Sequence, residues 1–339
     1  MMKTIGKFLA VISAFIFVIS GVVAIVFFNI EQKAFSPETY KVTFKEQGLY
    51  DAAPAIFTDL IISSMEDSGG ASILITVLNR DDMALVIASL LPPEEFEFVI
   101  NEAFDSFFDY LNGDTESISI SLLSLKRHLV SEGGMQAFTQ LLLAQPECTP
   151  AQALQITLGF LSSGEGLIFC RPPQEAIGFV IPIIETQLQV MTSNLPDRLI
   201  LADSSQTGLV EFRARLDRIR AIMRLTPAFP MMMLLSIVIF TVRSINDWLN
   251  WWGIPILITG IMSALLALIG TPLIRLFVDD VILQGNADMP TIFLDIMRNV
   301  TGSLVSQILG PIAIAGIILA LIGVGMVVGA SFMKRQATL

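Results

Sequence analysis

The sequence predicts a membrane protein, mainly α, with four transmembrane helices: one N-terminal and three C-terminal. Between them lies a mostly helical extracytoplasmic domain with a small two-stranded sheet. Three observations predict this. Four stretches carry no charged residue: 8–28, about 225–242, 253–274 and about 306–333. Each is long enough for a helix to cross a hydrocarbon core of ~30 Å. The 339 residues are 53% hydrophobic and 15% charged, with mean hydropathy +0.71, whereas soluble domains carry about 25% charged residues. The charge is also concentrated, with 26 Asp/Glu and 13 Lys/Arg between Asn29 and Arg224. The chain therefore divides into an N-terminal anchor (1–28), an extracytoplasmic domain (29–208), an amphipathic stalk (209–224) and a three-helix membrane domain (225–339).

The first span begins after Lys3 and Lys7 and runs uncharged from Phe8 to Phe28. It is too long for a signal-peptide core, and Val26-Phe27-Phe28-Asn29 offers no small-residue cleavage site, so an uncleaved anchor is expected. Lys3 and Lys7, Arg243 in the connector after the second span, and Lys334 and Arg335 after the fourth would all share one side. By the positive-inside rule that side is cytoplasmic, in a multi-pass protein of the cell membrane. Trp248, Trp251 and Trp252 fit a headgroup-level anchor in the same connector, and Arg275 fits one at the other end of the third span.

Within the domain, Ser36-Pro37 reads as a capping serine followed by proline at the first helical position. The run from Leu91-Pro92-Pro93 places Phe96, Val99, Ile100, Ala103, Phe104, Phe107 and Leu111 at helical spacing, and Asn112-Gly113 ends it. Glu94, Glu95 and Glu97 fall in its first turn, where the helix dipole favours anions. Ser117–Leu122 alternates with period two, which predicts a strand, and Arg198–Leu201 is the partner expected for it. Further helices are expected near 71–90, 135–145, 150–161 and 174–193, with loops at Gly133-Gly134 and 162–166.

In the stalk, Phe212, Leu216, Ile219 and Met223 form one stripe, with Arg213, Arg220 and Arg224 beside it. Such a helix packs on the domain or lies on the headgroups with its arginines paired to anionic lipid. Cys148 and Cys170 are the only cysteines. An even pair in an oxidising compartment predicts a disulfide. In the membrane, Gly260, Ala264 and Ala267 of the third span and Ala313, Gly316, Ala320 and Gly323 of the fourth form small-residue stripes that allow close helix packing. The short connector after Phe240 predicts second and third spans as antiparallel neighbours, with the fourth against one side of them.

Chemistry-bearing motifs are missing. His128 is the only histidine, and no zincin, Walker A or nucleophile-elbow pattern is present. No metal, cofactor or catalytic residue is expected. The acidic domain would repel a phosphate backbone, which argues against nucleic acid. The expected partner is the lipid bilayer, with another protein engaged through the domain. A homo-oligomer is compatible with the pattern.

Pro37-Glu38-Thr39-Tyr40 with Leu49-Tyr50-Asp51, Leu91-Pro92-Pro93-Glu94, Cys148-Thr149-Pro150 with Cys170-Arg171-Pro172-Pro173, and Arg243-Ser244 with Trp248 and Trp251-Trp252-Gly253 resemble blocks of an uncharacterised group of bacterial multi-pass membrane proteins. The resemblance implies a prokaryotic envelope protein and no activity. In topology the chain is similar to permease subunits of the FtsX and MacB type, whose outer domains are mixed rather than helical. The expected function is therefore a non-enzymatic, membrane-anchored envelope protein whose domain binds a partner, polymer or lipid. Its alternative is a membrane subunit of a transport or mechanotransmission complex, followed by an envelope hydrolase.

Overall fold

The computed structural model describes residues 2–67, 80–143, 146–149, 170, 171, 173–203, 207–285 and 291–336. In chain order these form α1 (Met2–Ala34), α2 (Pro37–Glu46), α3 (Leu49–Asp67), α4 (Arg80–Leu90), α5 (Pro93–Asn112), β1 (Ser117–Ser121), α6 (Leu123–Leu129), α7 (Glu132–Leu143), α8 (Gln174–Asn194), β2 (Arg198–Asp203), α9 (Thr207–Leu225), α10 (Ala228–Thr241), α11 (Ile245–Gly285) and α12 (Thr291–Gln336). Four helical segments are long and apolar enough to cross a membrane: Ile5–Ala34, Gly208–Thr241, Ile245–Val278 and Phe293–Lys334.

The domain is built on α5. Phe96, Phe104 and Phe108 of α5 meet Phe57, Tyr50, Phe44 and Tyr40 of α2 and α3, with ring centroids 5.1–6.2 Å apart. Helical spacing puts these α5 rings on one face, with Ile100 at the turn between Phe96 and Phe104. Two ion pairs close the edge of the same packing, Lys41–Asp105 and Lys45–Glu97 at 2.5 and 2.8 Å. Gly113 stops α5 in the left-handed region (φ 89). There its N–H donates to Tyr110 O and that of Asp114 to Asp109 O, at 3.2 and 2.9 Å. This double bond pattern satisfies the last carbonyls of the helix and needs a residue without a Cβ.

The two strands pair antiparallel, with Ser119 opposite Ile200 and Ile120 opposite Leu199. An irregularity between Ile118 and Ser119 moves Ile118 opposite Ala202, so Leu201 has no cross-strand partner. Leu122 falls just outside the strand, with its N–H bonded to Asp197 O. Ile118 packs on Phe108, Tyr110 and Leu111, with Phe35, Tyr40, Leu209 and Leu216 around them. That cluster joins the sheet, α5, the end of α1 and α9 in one core.

Several local expectations change. Ser36 has the extended backbone of a capping position, but its side chain makes no capping bond. Gly133 and Gly134 are helical, not a loop, because α7 starts directly after α6. A Cβ on Gly134 would strike Leu129 O and stand 2.8 Å from His128 O, so only glycine lets the two helix ends meet. The helix expected over 71–90 is described from Arg80 onward. The expected helix at 150–161 and loop at 162–166 lie outside the described residues.

The membrane helices also differ in arrangement. α10 packs mainly on α1, not on α11. α1 lies between α10 and the α11–α12 pair, with Gly6 3.0 Å (by its Cβ position) from Phe240 O and Gly21 2.9 Å from Thr259 Cγ2. Ile25 and Val26 of α1 cover Ala267, Leu309 and Ile312. Without side chains at Gly6 and Gly21, α1 fits closer than the connector argument allows. α11 and α12 have 41 and 46 residues, about 60 and 70 Å at ~1.5 Å per residue, roughly twice an apolar core. The helices run on past the apolar stretches as one antiparallel hairpin, and α12 reaches α2 and α3 of the domain.

Candidate functional site

The candidate site is the juncture between the domain and the membrane helices. α1 does not end where its apolar run ends. It continues for one and a half turns, and Glu31 on that extension is 8% exposed. α9 descends beside it and delivers two arginines to this one carboxylate. Arg224 Nε donates to Glu31 Oε1 at 2.7 Å, and Arg220 Nη2 to the same oxygen at 3.4 Å. Arg220 is 7% exposed, donates from Nη1 to Asn112 Oδ1 at 2.7 Å and lies over the Phe35 ring at 4.7 Å. Its Nε is buried without an acceptor. A guanidinium taken out of water at this cost requires its counter-charge and hydrogen bonds close by.

Arg213, two turns away on the same helix, stacks 5.2 Å from the Tyr110 ring centroid and donates to Thr115 O at 3.5 Å. The arginines that the sequence sets beside the stripe thus divide. Arg213 and Arg220 face α5, Arg220 wholly inside, while the Arg224 side chain is 60% exposed. The sequence reading did not single out Glu31. The signal was present: a lone carboxylate one turn past an apolar run, in a chain that sets five arginines before the second span.

Cys148 and Cys170 form a disulfide, with Cα atoms 4.9 Å apart. Cys148 N–H donates to Arg171 O and Arg171 N–H to Pro146 O, at 3.0 and 2.8 Å, so a short parallel bridge runs beside the bond. Glu147 and Arg171 add an ion pair at 2.7 Å.

Gly260, Ala264, Gly316 and Ala320 come together at the α11–α12 crossing. A Cβ on Gly316 would lie 2.6 Å from Ala264 N and one on Gly260 2.6 Å from Gly316 O. Gly323 stands equally close to Leu257 N. Ala267 and Ala313 lie in the cluster that α1 covers.

At the far end the connector shortens to Val242–Ser244, because α11 begins at Ile245, where Ser244 Oγ accepts from Asp247 N–H. Arg243 is exposed there. The Trp248 and Trp252 rings meet at 5.1 Å, tilted by 51°, and Trp251 is half-buried. Gly6 against Phe240, and Gly329 against Leu249, bring both chain ends to this level.

Several polar residues elsewhere have structural partners. Glu95 accepts from Ser124 Oγ at 2.5 Å and Glu97 from Lys45. His128 Nε2–H donates to Ser89 O at 3.0 Å, a tautomer set by an acceptor that carries no proton. Burial, with the Glu97 carboxylate adding to it, pushes the Tyr50 phenol up to about 12. Its hydroxyl donates to Asn101 Oδ1 at 3.0 Å. Among the described residues no three His, Cys, Asp or Glu side chains converge.

No family model, curated protein or solved structure matches the chain. A functional reading therefore draws on two features, the exposed surface of the domain and the juncture beneath it. What the juncture can do is mechanical: it holds the domain at one height and angle over the membrane helices.

Proposed function

We propose that this is a non-enzymatic envelope protein of the cytoplasmic membrane whose domain, residues 29–224, is held outside the cell to bind a partner protein, an envelope polymer or lipid. Both termini are cytoplasmic in this reading. The carrying observation is β2. Among the described residues it has one strand neighbour, and Leu199, Ile200 and Leu201 are consecutive and exposed, Ile200 to 62%. An exposed apolar edge on a domain fastened by Glu31, Arg220 and Arg224 suits a fixed binding surface. Orientation is supported by Lys3, Lys7, Arg243, Lys334 and Arg335, all near the end opposite Glu31.

A second reading, a membrane subunit of a transport or mechanotransmission complex, is favoured by the α11–α12 hairpin. Two continuous helices from connector to domain would carry a displacement across the bilayer. Photo-crosslinking in cells separates the two. Adducts to an envelope component from a probe at Ile200, or at Phe98, an exposed position on α5, support the binding surface. Adducts from Trp248 to a cytoplasmic ATPase support the second reading. Silence at Ile200 and Phe98 overturns the first.

A further inference from the structure

We propose that the cleft between the α11–α12 hairpin and the end of α2 binds the phosphate of an anionic phospholipid. The cleft has a volume of about 450 Å³, and its lining includes Gln47, Arg275, Arg298, Asn299 and Ser303. This is within the ~300–1,000 Å³ range of small-ligand sites. The inference rests on the four apolar helices spanning a bilayer, and it adds a ligand class to the binding reading.

Three observations carry it. The first is height. Arg275 directly follows the apolar run ending at Ile274, and Ser303 stands one turn before the run that begins near Ser306. The cleft therefore opens where hydrocarbon gives way to headgroups, about two turns beyond the packed layer of Ala267, Leu309 and Ile312. The second is the donor set. Arg275 Nη2 donates to Gly302 O at 3.1 Å, which fixes its planar fork across the hairpin. Arg298 adds a second guanidinium from the facing helix, and Gln47 and Asn299 add amides. A fixed guanidinium fork matches phosphate oxygens bidentately. The hydroxyls of Thr301 and Ser306 contribute no protons, since these go to Met297 O and Ser303 O.

The third is sign and surroundings. Among the described residues the lining holds two arginines and no carboxylate. Asp280 and Asp295 lie on the same helices outside the lining. The described lining itself thus presents two guanidinium groups at the base of an acidic domain. Leu273, Leu276 and Phe277 flank Arg275 and are exposed. They extend the apolar belt up to the cleft, so acyl chains and headgroup can be engaged together.

The test uses the full chain in nanodiscs of phosphatidylcholine, alone or with phosphatidylglycerol, with bound lipid counted by native mass spectrometry. Wild type should retain phosphatidylglycerol over phosphatidylcholine. The double variant Arg275→Gln/Arg298→Gln should lose that preference at least tenfold, and Arg275→Lys/Arg298→Lys should keep most of it. Arg298→Gln alone, which leaves the Arg275–Gly302 bond in place, should show an intermediate loss. Equal retention by wild type and the double variant overturns the site. So does saturation by inorganic phosphate with no lipid preference, which would make it a free-anion site. Failure of wild type to enter nanodiscs would instead overturn the spanning reading beneath it.

Discussion

Arg220 and Glu31, 189 residues apart in the chain, meet at 3.4 Å in the interior of the juncture, and both side chains are 9% exposed. Arg224 reaches the same carboxylate oxygen from the surface. One acidic residue thus ties the end of the first span to the stalk that leads into the second. Removing it leaves Arg220 buried with only Asn112 and Phe35 beside it.

Glu31→Gln should therefore lower stability by about 3–5 kcal/mol, the range for breaking one side of a buried ion pair. Arg224→Gln should cost at most about 1 kcal/mol, since that side chain is largely solvated. Unfolding of the full chain in detergent measures both. A Glu31→Gln variant as stable as Arg224→Gln would show that the juncture is held by its apolar core alone.

The α11–α12 crossing predicts a size limit. Gly316→Leu should force the helices apart and cost roughly 1–3 kcal/mol through overpacking. Ala320→Leu should act the same way, since Ala320 backbone lies against Gly260. Ile318→Leu, on an exposed position of the same helix, should be silent. An engineered disulfide between the two helices reports the separation, and equal yield in all three variants would contradict the assigned contact.

Loss of the Cys148–Cys170 bond, 22 residues apart, should cost about 3 kcal/mol through the freed unfolded chain. Cys148→Ser/Cys170→Ser should melt earlier in the domain yet insert normally. Protease protection of the inserted protein separates the two effects.

Topology gives a direct test. In the cysteine-free background, single cysteines at residues 3 and 336 should resist an impermeant maleimide in intact cells, and one at Ile200 should react. Labelling of residue 3 or 336 would reverse the proposed orientation.

Tyr50 supplies a pH window. Its phenol titrates at about 12 in the folded chain against an ordinary 10.0, so folding favours the protonated form. The associated stability is complete below pH 10 and is lost as pH rises through 12. Tyr50→Phe has no such proton to lose. Its melting temperature should therefore gain on that of wild type between pH 9 and 11.5. A constant difference would place the phenol in an unperturbed setting.

The one-plus-three order of apolar helices, the disulfide and the strand pair are legible in the sequence for local reasons. A span needs only length and apolarity. Ser117–Ser121 declares itself by period two, and a lone strand requires a partner, of which Arg198–Leu201 was the best available. Gly113 is legible as a stop because few residues adopt its backbone. Other features are not local. Nothing near Gly134 indicates that its helix abuts the end of α6, since the reason is a carbonyl of the preceding helix.

The tertiary structure alone decided the juncture, the central place of α1 and the length of the α11–α12 hairpin. Glu31 and Arg220 pair across 189 residues, and a single carboxylate carries no periodic signal. Residues 275–285 and 291–305 have no apolar run to mark them as helix continuing beyond a span. They remain helical because each helix lies against the other and α12 against the domain, which repays the ordering of the chain there. Composition and period determine which segments cross or pair. Which of them touch depends on shape and charge brought together from distant parts of the chain, and that information exists only once the chain has folded.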